Sequence, residues 1–275
     1  MSEEAPQYVH GTAPREQERL GIMNDILNQG ALRAIGLRPG ERILDLGCGP
    51  AQLTRALGRA AAPGGLAVGV ERSAEQLREA ERLARAAGEA GLVDLRQGDA
   101  LAPPLQDDEW GRFDVAHTRF LLEHLPRPLD AVRVMVRAVR PGGRVVLQDE
   151  DHDILRLWPE PPGFDPLWRA YIHTYERNGN DPFVGRRLAA LLEEAGAPPS
   201  RSDWIYFGGC AGEPHFTSLV ENMVRILEGA RDAIVGPGGL TQDAHLAALG
   251  ALRVWAALPG AALWYAVACV QGIRR

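Results

Sequence analysis

From residue 41 to residue 149 the chain alternates short apolar runs with longer stretches in which apolar positions return at helical spacing. ERILDLG (41–47), LAVGVER (66–72), LVDLRQGDA (92–100), FDVAHT (113–118) and GRVVLQDE (143–150) read as strands. PAQLTRALGRAA (50–61), SAEQLREAERLARAAG (73–88) and DAVRVMVRAVR (130–140) read as helices, the second opened by Ser73 as N-cap and closed by Gly88. Strand, helix, strand at these spacings predicts a parallel sheet with right-handed crossovers, the doubly wound α/β class.

Beyond residue 150 the rhythm breaks. LRLWPEPPGFDP (155–166) is rich in proline and aromatics, and LWRAYIHTYERNGN (167–180) predicts a short helix. VGRRLAALLEEAG (184–196) sets Val184, Leu188, Leu191, Leu192 and Ala195 on one helical face and stops at Gly196. SDWIYFGG (202–209) predicts a strand, HFTSLVENMVRILEG (215–229) and LTQDAHLAALGALRVWAAL (240–258) helices, the latter with Thr241 as cap, and ALWYAVACVQGI (262–273) a closing strand. VWAALPGAALWYAVACV (254–270) is apolar enough to raise a membrane anchor, but Pro259 and Gly260 interrupt it, and a span needs about 20 apolar residues. The expected reading there is a helix end, a turn and a buried strand, with no membrane partner.

Composition narrows the chemistry. All 30 basic residues are arginine, so Schiff-base chemistry, a pyridoxal-phosphate anchor and a phosphate-loop lysine are excluded. A formal charge of -6 gives no general attraction to phosphate backbones, which disfavours nucleic acid as partner. Cys48, Cys210 and Cys269 are odd in number, far apart and without metal-ligand spacing, and MSEEAPQYVHG has no signal-peptide pattern. A reduced, cytoplasmic protein is expected; the sequence leaves its oligomeric state open.

The stretch ILDLGCGPAQLT (43–54) runs from a strand through a glycine turn into a helix. In a doubly wound sheet this loop faces the ligand, and Gly47 and Gly49 let the backbone come close to it. Asp45 discriminates between ligands. A carboxylate beside a bound diphosphate is a like charge, whereas a ligand carrying an ammonium group favours it. Gln52 also stands where the dinucleotide pattern wants its third glycine.

D-L-G-C-G at 45–49, the acidic Glu71 after AVGV, G-D-A at 98–100, F-D-V at 113–115 and R-P-G-G at 140–143 together resemble the class I S-adenosylmethionine-dependent methyltransferases. The resemblance is strongest over about 40–150. The closing ALWYAVACVQGI resembles that family's antiparallel last strand, and YVHGTAPREQERL with GRRLAALLEEAG resembles its bacterial small-molecule members. It departs at Ala51, where many members carry a third glycine. The implied fold is a Rossmann-like seven-stranded sheet with an antiparallel last strand and a helical lid. The implied organisation is an N-terminal lid segment at 1–36, a cofactor-binding core at 37–150, and 151–275 completing the sheet with lid insertions at 150–182 and 213–258, one compact domain in all.

The implied cofactor is S-adenosyl-L-methionine. By resemblance Asp45 and the Gly47, Cys48, Gly49 turn lie at its methionine portion, Glu71 and Arg72 at the ribose, and Asp99 with Ala100 at the adenine; His117 borders the same site. Taken one by one, Asp99 reads equally as a turn cap and Glu71 as a solvated strand end. With an electrophilic methyl supplied, the protein has to align an acceptor and, where needed, remove a proton. His117 and His124 are the first base candidates, with His152 third. Arg119 reads as holding an acidic substrate or the cofactor carboxylate, and equally as bridging the lid. Tyr171 and Tyr175, with Phe164, offer flat surfaces to an aromatic substrate, while Trp158 and Trp168 are expected in core packing.

QDEDHD (148–153) raises a metal site, but catechol-type metal-dependent methyltransferases also place a carboxylate after the fourth strand, where His117 and Thr118 stand. No metal is therefore assigned, and a cationic substrate or a solvated loop remain as readings of the cluster. The expected function is methylation of oxygen, nitrogen or carbon on a small, specialised metabolite. The alternatives are a non-methylating reaction that keeps the cofactor and a non-catalytic binding protein with the same fold.

Overall fold

The computed structural model describes residues 27–236 and 238–275. YVHGTAPREQERL and most of the expected 1–36 lid segment lie outside the described residues. In order come α1 (27–35), β1 (Arg42–Leu46), α2 (Gln52–Ala61), β2 (Leu66–Glu71), α3 (Ala74–Ala86), β3 (Val93–Gln97), β4 (Phe113–Arg119), α4 (Pro128–Ala138) and β5 (Val139–Asp149). They are followed by β6 (Arg156–Trp158), α5 (Phe164–Arg177), α6 (Leu188–Ala195), β7 (Pro199–Tyr206), β8 (Gly209–Cys210), α7 (Phe216–Gly229), α8 (Arg231–Ile234), α9 (Gln242–Trp255), β9 (Ala262–Trp264) and β10 (Ala266–Ile273).

The described chain divides into two compact units. A sheet unit runs to Asp151 and takes up Phe183–Ile205 and Val267–Arg275; an insertion unit holds His152–Pro182 and Tyr206–Ala266. In the seven-stranded sheet the order is β3-β2-β1-β4-β5-β10-β7, with β10 antiparallel to β5. β1 lies between β2 and β4, parallel to both, so the direction of winding reverses there and a crevice opens beyond the carboxyl ends of β1 and β4. Leu44, Val68, Phe113 and Val145 of the sheet form one fully or almost fully buried cluster with Val132 and Met135 of α4 and Leu188 and Leu192 of α6. Each such side chain contributes about 1.5–3 kcal/mol of transfer free energy.

The local stops act as the sequence expects. Ser73 Oγ accepts from Gln76 N at 3.3 Å and Thr241 Oγ1 from Ala244 N at 3.2 Å, each cap worth about 1 kcal/mol. Gly196 ends α6 in the left-handed region at φ 88°.

Two expectations change. The run 262–273 is not one strand: it divides at Tyr265 into β9, which pairs with β6 and β8 in a small sheet of the insertion unit, and β10, which joins the large sheet. Trp158 is 66% exposed and packs into no core; β6 alternates, turning Leu157 inward and Arg156 and Trp158 outward. Among the described residues no helix is long and apolar enough to cross a membrane.

Candidate active site

In the sheet unit the site begins at the end of β1. Asp45 is buried, and both its oxygens are taken: Oδ2 accepts from Thr54 Oγ1 at 2.6 Å and Oδ1 meets His117 Nδ1 at 2.8 Å. The sheet register makes the second contact, because Asp45 and His117 are direct neighbours on β1 and β4. His117 is wholly buried, and its Nε2 meets no hydrogen-bonding atom among the described residues. Thr54 was not visible as a site residue in the sequence; a polar side chain on the buried face of α2 was its only signal.

The loop after β1 turns through Gly47 (φ 72°), Gly49 (φ 54°) and Ala51 (φ 55°). A Cβ on Gly47 would come to 3.1 Å from Leu121 Cδ1, so the turn also packs under the segment after β4. Ala51 takes a left-handed conformation that costs an L-residue about 1–2 kcal/mol, which is why a glycine suits this position. Burial, with Asp45 and Glu71 close by, pushes the Cys48 thiol well above its ordinary range and keeps it uncharged.

Glu71 closes the loop from β2. Its Oε2 accepts from Gly49 N at 3.0 Å and its Oε1 from Ser73 N at 2.8 Å; each oxygen keeps a further lone pair. Gly98 N donates to Glu71 O at 3.0 Å, which sets the 98–100 turn beside β2. In that turn Asp99 Oδ1 accepts from Leu101 N at 2.8 Å, with the rest of this exposed side chain open to solvent. Ala100 is half-buried there, and exposed Arg72 offers its carbonyl to Gln97 Nε2 at 3.3 Å.

After β4, Arg119 donates from Nη2 to Asn28 Oδ1 at 3.1 Å and lies 5.5 Å over the Phe120 ring. Burial pushes its guanidinium down to about 10, with Asp45 acting the other way. Phe120 has φ 55°, a strained state for a bulky residue that the sequence does not signal. His124 follows on a short turn, its Nε2 3.4 Å from Glu123 Oε1. Asp149 and Asp151 of the acidic run have separate partners. Asp149 accepts from Leu122 N at 2.8 Å and Glu150 N at 3.0 Å, and burial, then Glu123, raises its carboxyl well above the usual range. Asp151 forms a two-toothed pair with Arg186, both contacts at 2.6 Å.

The insertion unit brings His152, Tyr171 and Tyr175 together. All three are buried; the His152 ring lies 5.1 Å from that of Tyr175, 5.4 Å from Trp168 and 5.8 Å from Tyr171. Tyr171 and Tyr175 share a hydrogen bond at 2.9 Å, Trp168 Nε1 donates to His152 O at 2.9 Å, and Tyr265 OH stands 3.4 Å from His152 Nδ1. Tyr265 sits in an apolar run that carries no sequence signal for this contact.

The residues in the sheet unit fit S-adenosylmethionine. Buried polar atoms of His117 (Nε2) and Gln52 (Oε1) are without partners among the described residues, α2 starts without a side-chain cap, and Glu71 retains acceptor capacity for hydroxyls. The comparisons agree. The methyltransferase domain model matches residues 44–147. An uncharacterised 37.1 kDa protein in transposon TN4556 of Streptomyces fradiae is 35% identical over 166 residues, 60% of this chain and 46% of that protein, so the chain spans less than half of it. The demethylmenaquinone methyltransferase of Desulfitobacterium hafniense is 30% identical over 236 residues, 82% of this chain and 90% of that protein. The chain belongs to the class I S-adenosylmethionine-dependent methyltransferases.

It is thus an enzyme that takes its methyl group from S-adenosyl-L-methionine and methylates a small molecule. Among solved structures, the (4+2)-cyclase SpnF superposes with a TM-score of 0.55 at 19% identity, covering 98% of this chain and 85% of its own. At that identity the likeness is one of fold.

Proposed function

We propose that the acceptor is a hydroxylated aromatic ring of the quinol type, methylated at carbon or oxygen after loss of a proton to His152. The observation that carries this reading is the enclosure of His152 by Trp168, Tyr171 and Tyr175 at 5.1–5.8 Å. Flat rings around an imidazole suit a flat acceptor whose hydroxyl must ionise. The quinone chemistry in the name of the Desulfitobacterium relative points the same way.

In this reading the cofactor supplies an electrophilic methyl group on a sulfonium centre. Asp45, braced by Thr54 and His117, and the Gly47, Cys48, Gly49 turn hold its methionine portion. Glu71 and Arg72 take the ribose hydroxyls, Asp99 and Ala100 the adenine. Arg119 meets a carboxylate, and Tyr171 and Tyr175 flank the acceptor ring. His117 has one ring nitrogen committed to Asp45, which suits it to the cofactor floor; His124, beside Glu123, is the second candidate for the proton. Three free cysteines support a reducing, cytoplasmic setting, and the charge of -6 supports a small-molecule partner over nucleic acid.

The test is to incubate the enzyme with S-adenosylmethionine and 1,4-dihydroxynaphthalene, alongside non-aromatic amines and carboxylates, and follow S-adenosylhomocysteine and methylated product by mass spectrometry. Turnover of the dihydroxynaphthalene, lowered about 10²–10⁴-fold by His152→Ala with cofactor affinity kept, is expected. Methylation of the non-aromatic set alone, or loss confined to His117→Ala or His124→Ala, overturns the assignment.

A further inference from the structure

Resting on the placement of the methionine portion at Asp45, we propose that His117 Nε2 receives the cofactor's ammonium group, and that Asp45 lends its charge through the imidazole instead of meeting the ligand itself.

Asp45 has little of its own surface left to offer. It is buried, Thr54 Oγ1 donates to Oδ2 at 2.6 Å, and Oδ1 meets His117 Nδ1 at 2.8 Å. An ionised carboxylate only accepts, so Nδ1 carries the hydrogen and the imidazole is held in one tautomer. Nε2 is left as a bare acceptor. His117 is wholly buried, and Nε2 meets no hydrogen-bonding atom among the described residues. A buried acceptor without a donor is rare in folded chains and marks a place where something else supplies one. The carboxylate on the far nitrogen also raises the basicity of the near one, as it does for histidines that hold metals.

The donor that fits is a cation. Neither contact of Asp45 neutralises it, because Thr54 is uncharged and His117 with a bare Nε2 is neutral too. An ammonium brings both missing parts, an N–H for Nε2 and a positive charge for the carboxylate behind it; an acceptor hydroxyl brings only the first. Arg119 follows two residues along β4, on the same face of the strand and about 6.5 Å further on. The charge of Asp45 acts on its guanidinium. The strand thus presents a negative and then a positive side chain, the pair of signs that an α-amino-acid group with its ammonium and carboxylate requires. No bond is made or broken and no proton moves.

The test compares S-adenosylhomocysteine with its deamino analogue, in which hydrogen replaces the α-amino group, by calorimetry on the full-length protein. No acceptor is added, so the outcome is independent of the quinol reading. Loss of the amino group should weaken binding to the parent about 10–100-fold. His117→Asn keeps an N–H near the place of Nδ1 for Asp45 and has no atom at the place of Nε2. In that variant the preference should shrink by about fivefold or more, with the analogue's affinity within about threefold of the parent value. A preference as large in His117→Asn as in the parent overturns the proposal.

A second readout needs no variant. In ¹³C,¹⁵N-labelled parent protein, with the His117 ring assigned through its own Cβ, Nδ1 should resonate as the protonated nitrogen and Nε2 as the unprotonated one at pH above the imidazole titration. S-adenosylhomocysteine should move the Nε2 signal toward that of a hydrogen-bonded acceptor, and the deamino analogue should not. An Nε2-protonated tautomer overturns the proposal. Equal movement with both ligands overturns it too and leaves the methionine portion beside Asp45, whereas no movement with either removes that placement as well.

Discussion

Replacing Thr54 with valine keeps the shape of the side chain and removes its hydroxyl. Thr54 is fully buried and its Oγ1 donates to Asp45 Oδ2 at 2.6 Å, while His117 occupies the other oxygen at 2.8 Å. A hydrogen bond to a charged acceptor is worth about 1.5–3 kcal/mol, and the short distance puts this one among the strong ones. The methyl group that replaces the hydroxyl returns about 0.8 kcal/mol of apolar burial. The expected loss is about 1–2 kcal/mol, which lowers Tm by roughly 2–8 °C at about 2–4 °C per kcal/mol in a chain of this size. Urea unfolding of parent and variant at pH 7, extrapolated to water, measures the stability loss. Calorimetric titration with S-adenosylmethionine should give affinities within about threefold of each other, since His117 still holds the carboxylate. A loss under about 0.5 kcal/mol, the range of an ordinary surface change, would refute the view that this bond braces the loop.

Three further outcomes are expected. Ala51→Gly relieves the left-handed strain at φ 55° but frees the unfolded chain by about 0.4–1 kcal/mol, so it should stabilise the protein by up to about 1 kcal/mol in the same urea assay, and a clear destabilisation would contradict the strain argument. Glu71→Ala should weaken S-adenosylmethionine binding about 10–100-fold by calorimetry, through lost acceptors for hydroxyls and a slackened Gly49, and an unaltered Kd would remove Glu71 from the site. Glu109 is held down to about 2, first by hydrogen bonds from Arg96. Because its folded value lies below the unfolded one, its stabilisation is complete above about 4.5 and is lost as pH falls toward about 2. Glu109→Gln should therefore flatten the fall of Tm between those pH values, and parallel curves for parent and variant would count against the linkage.

What the sequence determined by itself were the features written in local spacing. The apolar runs of β1, β2, β4 and β5, the caps Ser73 and Thr241 and the stop at Gly196 need only neighbours a few residues away, and they stand where the pattern puts them. The glycine turn at 45–49 was legible because its order of residues is local, and Gly47 and Gly49 take the left-handed conformations it calls for. Tertiary structure alone decided what depends on partners distant along the chain. Asp45 and His117 lie 72 positions apart and meet through strand register, and Thr54 joins them only because α2 folds back over β1. The division of 262–273 at Tyr265 was hidden because one continuous apolar run satisfies two successive ladders as well as one. The strands β6, β8 and β9 are three residues or fewer and too short to show a period, so their pairing, and with it the exposure of Trp158 and the approach of Tyr265 to His152, exists only in the folded chain.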